Sequence, residues 1–502
     1  MSLLSLTTTH SCATDAPLVA LASWLRARGA FLSPKLEIHC DEPADGATSA
    51  AALHHRPRRV RVATGHALET GELVASVPLS LLVTQGAAAA ASPRHDATVA
   101  SGTNRIALFL LRQRLGEEGE GDWQPYARAL PPNVSTTLAW SAAELAELQA
   151  SDLAAHSASR RVAVARNHEH VASQVAAAEE AAAVPSPFSF SEAEFGWALS
   201  MVWSRGHQVA MPGAPGGRAE GALAPLLDLF DHAADPNVAA ANVEGGDALV
   251  LRARRAAAAG EAAAVPYGAG GPLSNARLLM DYGFCLDANP NDDVALPLSC
   301  AAAGAEGAEG ATAEGLEEAR ERVLRLAGLG DGGAPPPRLT LGPSGLPVEV
   351  LVTARVCSMG ATHIHTAEAT LQRGGREAVG SLAAWLGASA QQLVSDAPTI
   401  TFLRGALRRR AAEYTTTLRE DEALLAAEGT EGAEGAEGAE GAEGAEGAEG
   451  GEGGERRKCA LAVRLAEKRI LSSWHAWATQ QLGDGGVGGG GARGGAASKQ
   501  EL

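Results

Sequence analysis

Apolar residues near the start of the chain recur at helical spacing. Leucine and tryptophan side chains three and four positions apart would line one face of a helix, and Gly29 stands where such a helix would end. The stripe consists of Leu18, Leu21, Trp24 and Leu25. A helix over residues 18–30 is therefore predicted.

The same hydrophobic pattern divides the rest of the chain into alternating regions. Short strand-like runs lie between residues 35 and 84, and apolar positions at helical spacing predict helices over 103–205. Short strands and loops rich in Gly and Pro return over 208–300, and helices again over 316–480. The pattern predicts an α+β fold in which a β region is interrupted by helices and followed by a helical half.

Composition refines these boundaries. Glu-Gly-Ala triplets repeat from 431 to 455 and cannot build a core, so we expect a flexible insert there. The predicted boundaries are 1–17 for an N-terminal tail, 18–300 for a first domain with a helical insertion near 103–205, 301–315 for a linker, 316–480 for a helical C-terminal domain with its insert at 428–455, and 481–502 for a disordered tail.

The charge of the chain argues against nucleic acid as a partner. The formal net charge is −18, much of it in the Glu-rich insert, and the remaining body is mildly acidic. An acidic surface disfavours binding to a phosphate backbone. The chain also has no run of about 18 apolar residues, so no membrane span is expected. We expect a monomer without nucleic-acid or membrane partners.

The cysteines are scattered and form no C-x-x-C pair. This spacing argues against a disulfide framework and a zinc ribbon, and it favours a reducing compartment. We expect a cytoplasmic or nuclear protein, with a plastid as the alternative because the N-terminus is rich in Ser and Thr. The six residues are Cys12, Cys40, Cys285, Cys300, Cys357 and Cys459.

The segment PLLDLFDHAADPN, residues 225–237, concentrates groups that could carry chemistry. Asp228, Asp231 and His232 would suit a metal-dependent hydrolase. However, adjacent residues on a regular element point in different directions, so Asp231 and His232 cannot easily face one ion. No G-x-S-x-G or P-loop motif occurs. We expect no metal, and the hydrolase stays the weaker alternative.

Seven pieces occur in a specific order along the chain. They are GHALETGELVASVPLSLLVT (65–84), DWQPYARALPPNVSTTLAW (122–140), WALSMVWSRGHQVA (197–210), APLLDLFDHAADPN (224–237), VPYGAGGPLSNARLLMDYGFCLDANPNDDVAL (265–296), EYTTTLREDEALL (413–425) and LAVRLAEKRIL (461–471). This order resembles the SET-domain protein methyltransferases of the Rubisco large-subunit lysine methyltransferase and actin-histidine methyltransferase group. The resemblance covers residues 18 to 475.

The resemblance implies a SET-domain β-fold interrupted by a helical insertion and followed by an all-helical substrate-binding domain. It also implies transfer of a methyl group from S-adenosyl-L-methionine to a protein lysine, with histidine as the second choice. The sulfonium already makes the methyl group a good electrophile. Such a site therefore acts mostly by positioning and desolvating its reactants.

Individual roles follow from the same resemblance. Tyr267 matches the tyrosine whose hydroxyl group lies at the inner end of the substrate channel, and His207 falls near the substrate side chain. Trp123 and Tyr126 are expected to be packing residues. The cofactor-binding positions are Arg205, Asp228, Asp231, His232, Tyr282, Gly283 and Phe284, with backbone groups of Arg56 and Arg58.

Two departures from the family pattern bear on activity. A Gly-x-Gly turn is expected at RPRRV, residues 56–60, where Pro57 and Arg59 replace the glycines. Proline lacks an N–H and fixes φ, so that turn cannot form unchanged. Asp231 replaces an asparagine; a carboxylate cannot donate a hydrogen bond but can pair with an ammonium group. An inactive protein-binding scaffold is therefore the alternative function.

Overall fold

The computed structural model describes most of the chain. The predicted tails, linker and Glu-rich insert lie partly outside the described residues, and Arg56 and Pro57 lie wholly outside them. The described residues are 12, 15–40, 58–91, 99, 101–116, 122–183, 188–212, 219–239, 241–268, 271–301, 313–329, 339–374, 390–434 and 447–484.

Fifteen helices occur in this described part of the chain. They are α1 (Ala16–Ala27), α2 (Gln85–Ala91), α3 (Gly102–Leu115), α4 (Gln124–Ala129), α5 (Ala142–Ala146), α6 (Asp152–Ala181), α7 (Glu192–Arg205), α8 (Asn275–Asp281), α9 (Ala313–Leu326), α10 (Val348–Ser358), α11 (Ala361–Gly374), α12 (Ala390–Leu393), α13 (Ala397–Ala412), α14 (Leu418–Glu434) and α15 (Gly447–Asp484).

The strands are short and are concentrated before residue 300. They are β1 (Phe31–Leu32), β2 (Leu36–Cys40), β3 (Arg58–Val62), β4 (Leu73–Pro78), β5 (Val83–Thr84), β6 (Gly206–Ala210), β7 (Ala219–Leu223), β8 (Asp231–His232), β9 (Asn242–Glu244), β10 (Ala248–Arg252), β11 (Ala264–Val265), β12 (Val294–Ala295) and β13 (Thr340–Leu341).

The chain forms two compact units. The first consists of Met1–Trp140, His156–Leu273 and Arg277–Phe284, and the second of Ser141–Ala155, Ser274–Ala276 and Cys285–Leu502. A piece of the predicted helical insertion therefore belongs to the second unit.

Small sheets carry the core of the first unit. Strands β1, β4, β10 and β9 form one sheet in that order, and β5, β7 and β6 form another. Strand β2 alternates buried and half-buried residues, as expected for a strand with one face in the core. Strand β2 also pairs with β3 and β8 with β11, whereas the pair of β12 and β13 lies in the second unit.

Local capping signals explain where several helices begin. At α7, the Ser191 side chain accepts the Glu194 N–H, and Glu194 accepts the Ser191 N–H. Thr417 and Glu420 make the same reciprocal bonds at the start of α14, as the T-x-x-E spacing predicts. Helices α14 and α15 also extend into the segment predicted to be flexible, α14 as far as Glu434 and α15 from Gly447.

Within the second unit, a network of buried polar side chains connects separate segments of the chain. Segment Ser141–Ala155 contributes Ser151, whose hydroxyl donates to Glu467 on α15 at 2.7 Å. Tyr414 donates to the other oxygen of Glu467 at 2.5 Å. Arg464 pairs with Asp421 at 2.9 Å, both side chains being buried. Each of these buried groups thus has a hydrogen-bond or ion-pair partner, which offsets the cost of removing it from water.

The expectation that the cysteines form no disulfides is wrong for four of them. Cys12 pairs with Cys40, and Cys300 pairs with Cys357. The partners are separated by 28 and 57 residues, so the fold and not a local motif brings them together. Cys285 and Cys459 are free thiols.

No helix in the described ranges is both long and apolar enough to cross a bilayer.

Because the pKa of Glu467 is raised, the free energy of unfolding of the second unit should depend on pH. Burial raises the pKa of Glu467 to about 7, so the folded state holds a proton that the unfolded state has lost. Its stabilising contribution is complete at low pH and is lost as the pH rises through about 7. In Glu467→Gln, the difference in unfolding free energy between pH 5 and pH 8 should shrink by about 1–3 kcal/mol.

Urea unfolding at several pH values measures this difference. Glu422→Gln is the control, since Glu422 forms a half-exposed pair with Arg469. Equal pH profiles for the parent and Glu467→Gln would contradict the assignment.

Candidate active site

The segment 227–232 forms the floor of the candidate site. Leu227–Leu229 is a single turn of 3-10 helix, and β8 follows it directly. Strand β8 pairs in parallel with β11, placing Ala264 opposite Asp231 and Val265 opposite His232. Because of this pairing, Tyr267, which follows β11 by two residues, lies beside the segment 227–232.

Tyr267 makes two hydrogen bonds to this floor. Its hydroxyl group donates to the Phe230 carbonyl at 2.7 Å, and its backbone N–H donates to His232 Nδ1 at 3.0 Å. Nδ1 must be unprotonated to accept, so any ring proton of His232 is on Nε2. Burial lowers the pKa of His232 and raises that of Tyr267 well above its usual range. Both side chains are therefore neutral near pH 7.

Aromatic rings surround Tyr267. The Tyr282 ring lies 4.8 Å from it, the His232 ring 5.3 Å and the Phe284 ring 6.3 Å, measured between centroids. These separations lie within the range for attractive ring pairs. Four of the predicted site residues therefore form one aromatic cluster, which includes the predicted catalytic tyrosine.

Gly283 permits the chain to pass through this cluster. Its φ is +84°, and a Cβ at this position would lie 2.6 Å from the backbone carbon of Ser135 and 2.7 Å from the Ser135 Cβ. Contacts this short do not occur for real Cβ atoms. Only glycine satisfies both the backbone angle and the close approach.

Asp228, which is part of the floor, is bonded by side chains of distant elements. Arg205, the last residue of α7, donates from Nη1 to the Asp228 carbonyl at 2.9 Å. The Tyr126 hydroxyl donates to the Asp228 carboxylate at 2.6 Å. Burial raises the pKa of Asp228 to about 6, although Arg205 and Tyr126 oppose this shift. At neutral pH the carboxyl group is mostly ionised.

The two departures noted in the sequence meet in the structure. Arg59 Nε lies 3.7 Å from Asp231 Oδ2, and each side chain is about half exposed, at 54% and 51%. Residues 58–60 are part of strand β3, so no turn lies there. The Arg58 side chain instead forms a buried ion pair with Asp15 at 2.8 Å.

His207 stands apart from these contacts. It lies on β6, opposite Ala222 of β7, and burial lowers its pKa to about 4. Its imidazole is therefore neutral at physiological pH, and a neutral imidazole can both donate and accept a hydrogen bond.

The sequence reasoning missed two residues of this neighbourhood. Tyr126 was expected only to pack, and Arg59 was noted only because it replaces a glycine. Their partners, Asp228 and Asp231, are brought to them by the fold. No group of three or more His, Cys, Asp or Glu side chains among the described residues could hold a metal ion.

Comparison with known proteins identifies the class to which this fold corresponds. A solved structure of the SET domain of LSMT with lysine and AdoHcy superposes with a TM-score of 0.64 at 19% identity, covering 94% of this chain and 93% of that one. Rubisco LSMT bound to AdoMet superposes at 0.59, covering 93% of each chain. The fold is that of the SET-domain methyltransferases, and the predicted α+β class is confirmed.

Sequence comparisons agree with this class. Residues 312–471 match the family model described as Rubisco LSMT substrate-binding. Human and dog actin-histidine N-methyltransferases are each 29% identical over 199 residues, which are 40% of this chain and 32% of the relative. The chain thus aligns with about a third of the length of these relatives. The chain is similar to these proteins in its fold and in its C-terminal domain, which confirms the resemblance.

Replacing Gly283 should disrupt the aromatic cluster. Gly283→Ala combines an unfavourable backbone angle with a clash against Ser135, so it should cost about 2–4 kcal/mol of unfolding free energy. Gly65→Ala is the matched control, because Gly65 has φ +81° and no atom lies within 4 Å of the position that a Cβ would take there. It should cost about 1 kcal/mol. Denaturant unfolding measures both; equal costs would contradict a role for the Ser135 contact.

Proposed function

We propose that this protein transfers a methyl group from S-adenosyl-L-methionine to a side-chain nitrogen of a protein substrate. Lysine is the preferred target, and histidine is the second candidate. The observation that carries the proposal is the placement of Tyr267: its hydroxyl group is fixed by the Phe230 carbonyl, and its ring packs against the His232, Tyr282 and Phe284 rings. The methyltransferase fold of the solved relatives supports it.

The cluster suits methyl transfer chemically. S-adenosyl-L-methionine supplies an electrophilic methyl group on a cationic sulfonium. Aromatic faces attract such a cation and exclude water from it. Tyr267 stays protonated because its pKa is raised, so it orients groups by hydrogen bonding and does not act as a strong base. The target nitrogen must arrive unprotonated, with its lone pair free to form the new N–C bond while the methyl–sulfur bond breaks and the neutral thioether S-adenosyl-L-homocysteine leaves with the electron pair.

The half-exposed pair of Arg59 and Asp231 suits the amino-acid end of the cofactor. The guanidinium group would bind a carboxylate and the Asp231 carboxylate an ammonium group. This arrangement would replace the glycine turn and the asparagine of the family pattern. We further assign Arg205, Asp228, His232 and the Tyr282–Phe284 segment to the cofactor side, and the neutral His207 to the substrate side.

The protein substrate would bind through the second unit, which contains the matched domain at 312–471. The alternative is a binding scaffold without catalysis, favoured by the same Arg59–Asp231 pair if the two side chains satisfy each other and leave no room for a zwitterion.

Methyl transfer is tested with tritium-labelled S-adenosyl-L-methionine and a cell lysate as the pool of protein substrates. Label should enter a protein, and amino-acid analysis should recover methyllysine. Tyr267→Phe should lower the rate about 10²-fold, because one preorganised hydroxyl group is lost from the reaction centre.

Recovery of methylhistidine would shift the target to the second candidate. Absence of label, together with no heat from cofactor binding in calorimetry, would favour the scaffold. A Tyr267→Phe rate equal to that of the parent would remove the proposed role of the hydroxyl group.

The Arg59–Asp231 assignment predicts a selective loss of cofactor affinity. Arg59→Ala and Asp231→Ala should each weaken binding of S-adenosyl-L-methionine about tenfold in calorimetry, since each removes one charge-assisted contact. Binding of 5′-methylthioadenosine, which has no amino-acid end, should change less than twofold. Equal weakening of both ligands would contradict recognition of the zwitterion by this pair.

A further inference from the structure

The floor of the site is held from three directions by side chains of distant elements. Tyr267 bonds the Phe230 carbonyl, Arg205 bonds the Asp228 carbonyl, and Tyr126 bonds the Asp228 carboxylate. The three bonds fall within three consecutive residues. Two of these side chains belong to the predicted site, and Tyr126 does not.

Tyr126 is packed into the hydrophobic core. It lies on α4, is 2% exposed, and belongs to the main hydrophobic core of the first unit. Tyr126 is separated by 102 residues from the carboxylate that it contacts. A buried tyrosine whose hydroxyl group donates to a carboxylate makes a bond stronger than that between two neutral groups. The bond therefore links the rigid core to the turn Leu227–Leu229.

The turn itself needs such support. Leu226, which precedes it, has φ +81°, an unfavourable value for a leucine. Such a conformation persists only where the surroundings hold it in place. Without an anchor on Asp228, the turn could relax and carry the Phe230 carbonyl away from the Tyr267 hydroxyl group.

We propose that Tyr126 is a positioning residue of the site: through the Asp228 carboxylate it holds the turn 227–229, and thereby the Phe230 carbonyl that orients the Tyr267 hydroxyl group. Tyr126 acts without touching the cofactor or substrate. Its catalytic consequence rests on the proposed methyl transfer, whereas its effect on the turn does not.

The charges around Asp228 agree with this role. Arg205 and the Tyr126 hydroxyl group both favour the ionised carboxylate, against the desolvation that raises its pKa. Loss of the Tyr126 hydroxyl group would leave a buried carboxylate with less compensation, which is costly. The turn would then open more often to solvent.

The structure offers a matched control in the second unit. Tyr414 is also buried, at 6% exposure, and its hydroxyl group also donates to a buried carboxyl group, that of Glu467. Tyr414→Phe therefore removes the same atom from a comparable bond that does not involve residues 226–232. It controls for any general loss of stability.

Hydrogen–deuterium exchange followed by mass spectrometry tests the proposal on the full chain. Peptides covering 226–232 should exchange about tenfold faster in Tyr126→Phe, and at the parent rate in Tyr414→Phe. Asp228→Asn keeps an acceptor for Tyr126 but removes its charge, so it should give a smaller increase. If Tyr126→Phe fails to fold, the exchange rate of 226–232 in Asp228→Asn tests the proposal instead. Parent-like exchange at 226–232 in the folded variants, or equal increases in both tyrosine variants, would overturn the proposal.

A kinetic measurement separates positioning from general packing. In label transfer to lysate protein, Tyr126→Phe should lower kcat about tenfold and leave KM for S-adenosyl-L-methionine within twofold, while Tyr414→Phe changes neither. A rise in KM with unchanged kcat would contradict positioning of the Tyr267 hydroxyl group. If the parent transfers no label, the proposed function fails, and the exchange measurement still decides whether Tyr126 holds the turn.

Discussion

The candidate site depends on one short parallel pairing. Strands β8 and β11 share only two residue pairs, Asp231 with Ala264 and His232 with Val265. Because Tyr267 follows β11 by two residues, this register sets which atoms its hydroxyl and amide groups can reach. A shift of one residue would turn the side chains of β8 to opposite faces and remove both hydrogen bonds. Strands this short gain little stability from their own pairing, so side-chain bonds must hold the register.

Those side-chain bonds explain how much of the site could be predicted. The members of the aromatic cluster were predicted individually as site residues because they lie in two recognisable pieces of the sequence. His232 lies in 224–237, and Tyr267, Tyr282 and Phe284 lie in 265–296. Tyr126 was interpreted as a packing residue because a tyrosine beside Ala and Pro carries no local sign of its partner. Its bond to Asp228 spans 102 residues, and only the fold brings these residues together.

More of the architecture than of the side-chain contacts could be predicted from the sequence. Hydrophobic spacing predicted the helices and the strand-rich regions, since burial of one face sets their periods. The disulfides were not predicted, because cysteine spacing contains no information about which chain segments meet. The helical ends of the Glu-rich insert were also not predicted: low complexity was interpreted as flexibility, whereas α14 continues to Glu434.

The position of Ser141–Ala155 has a consequence for how the protein is made. This segment belongs to the second unit, where Ser151 bonds Glu467, 316 residues later in the chain. During synthesis it leaves the ribosome long before its partner exists, so the second unit cannot complete its core until α15 has emerged. A fragment beginning at Cys285 would lack the segment and leave Glu467 without the Ser151 hydroxyl group. The two units are therefore interleaved in sequence and cannot be exchanged between proteins as consecutive blocks.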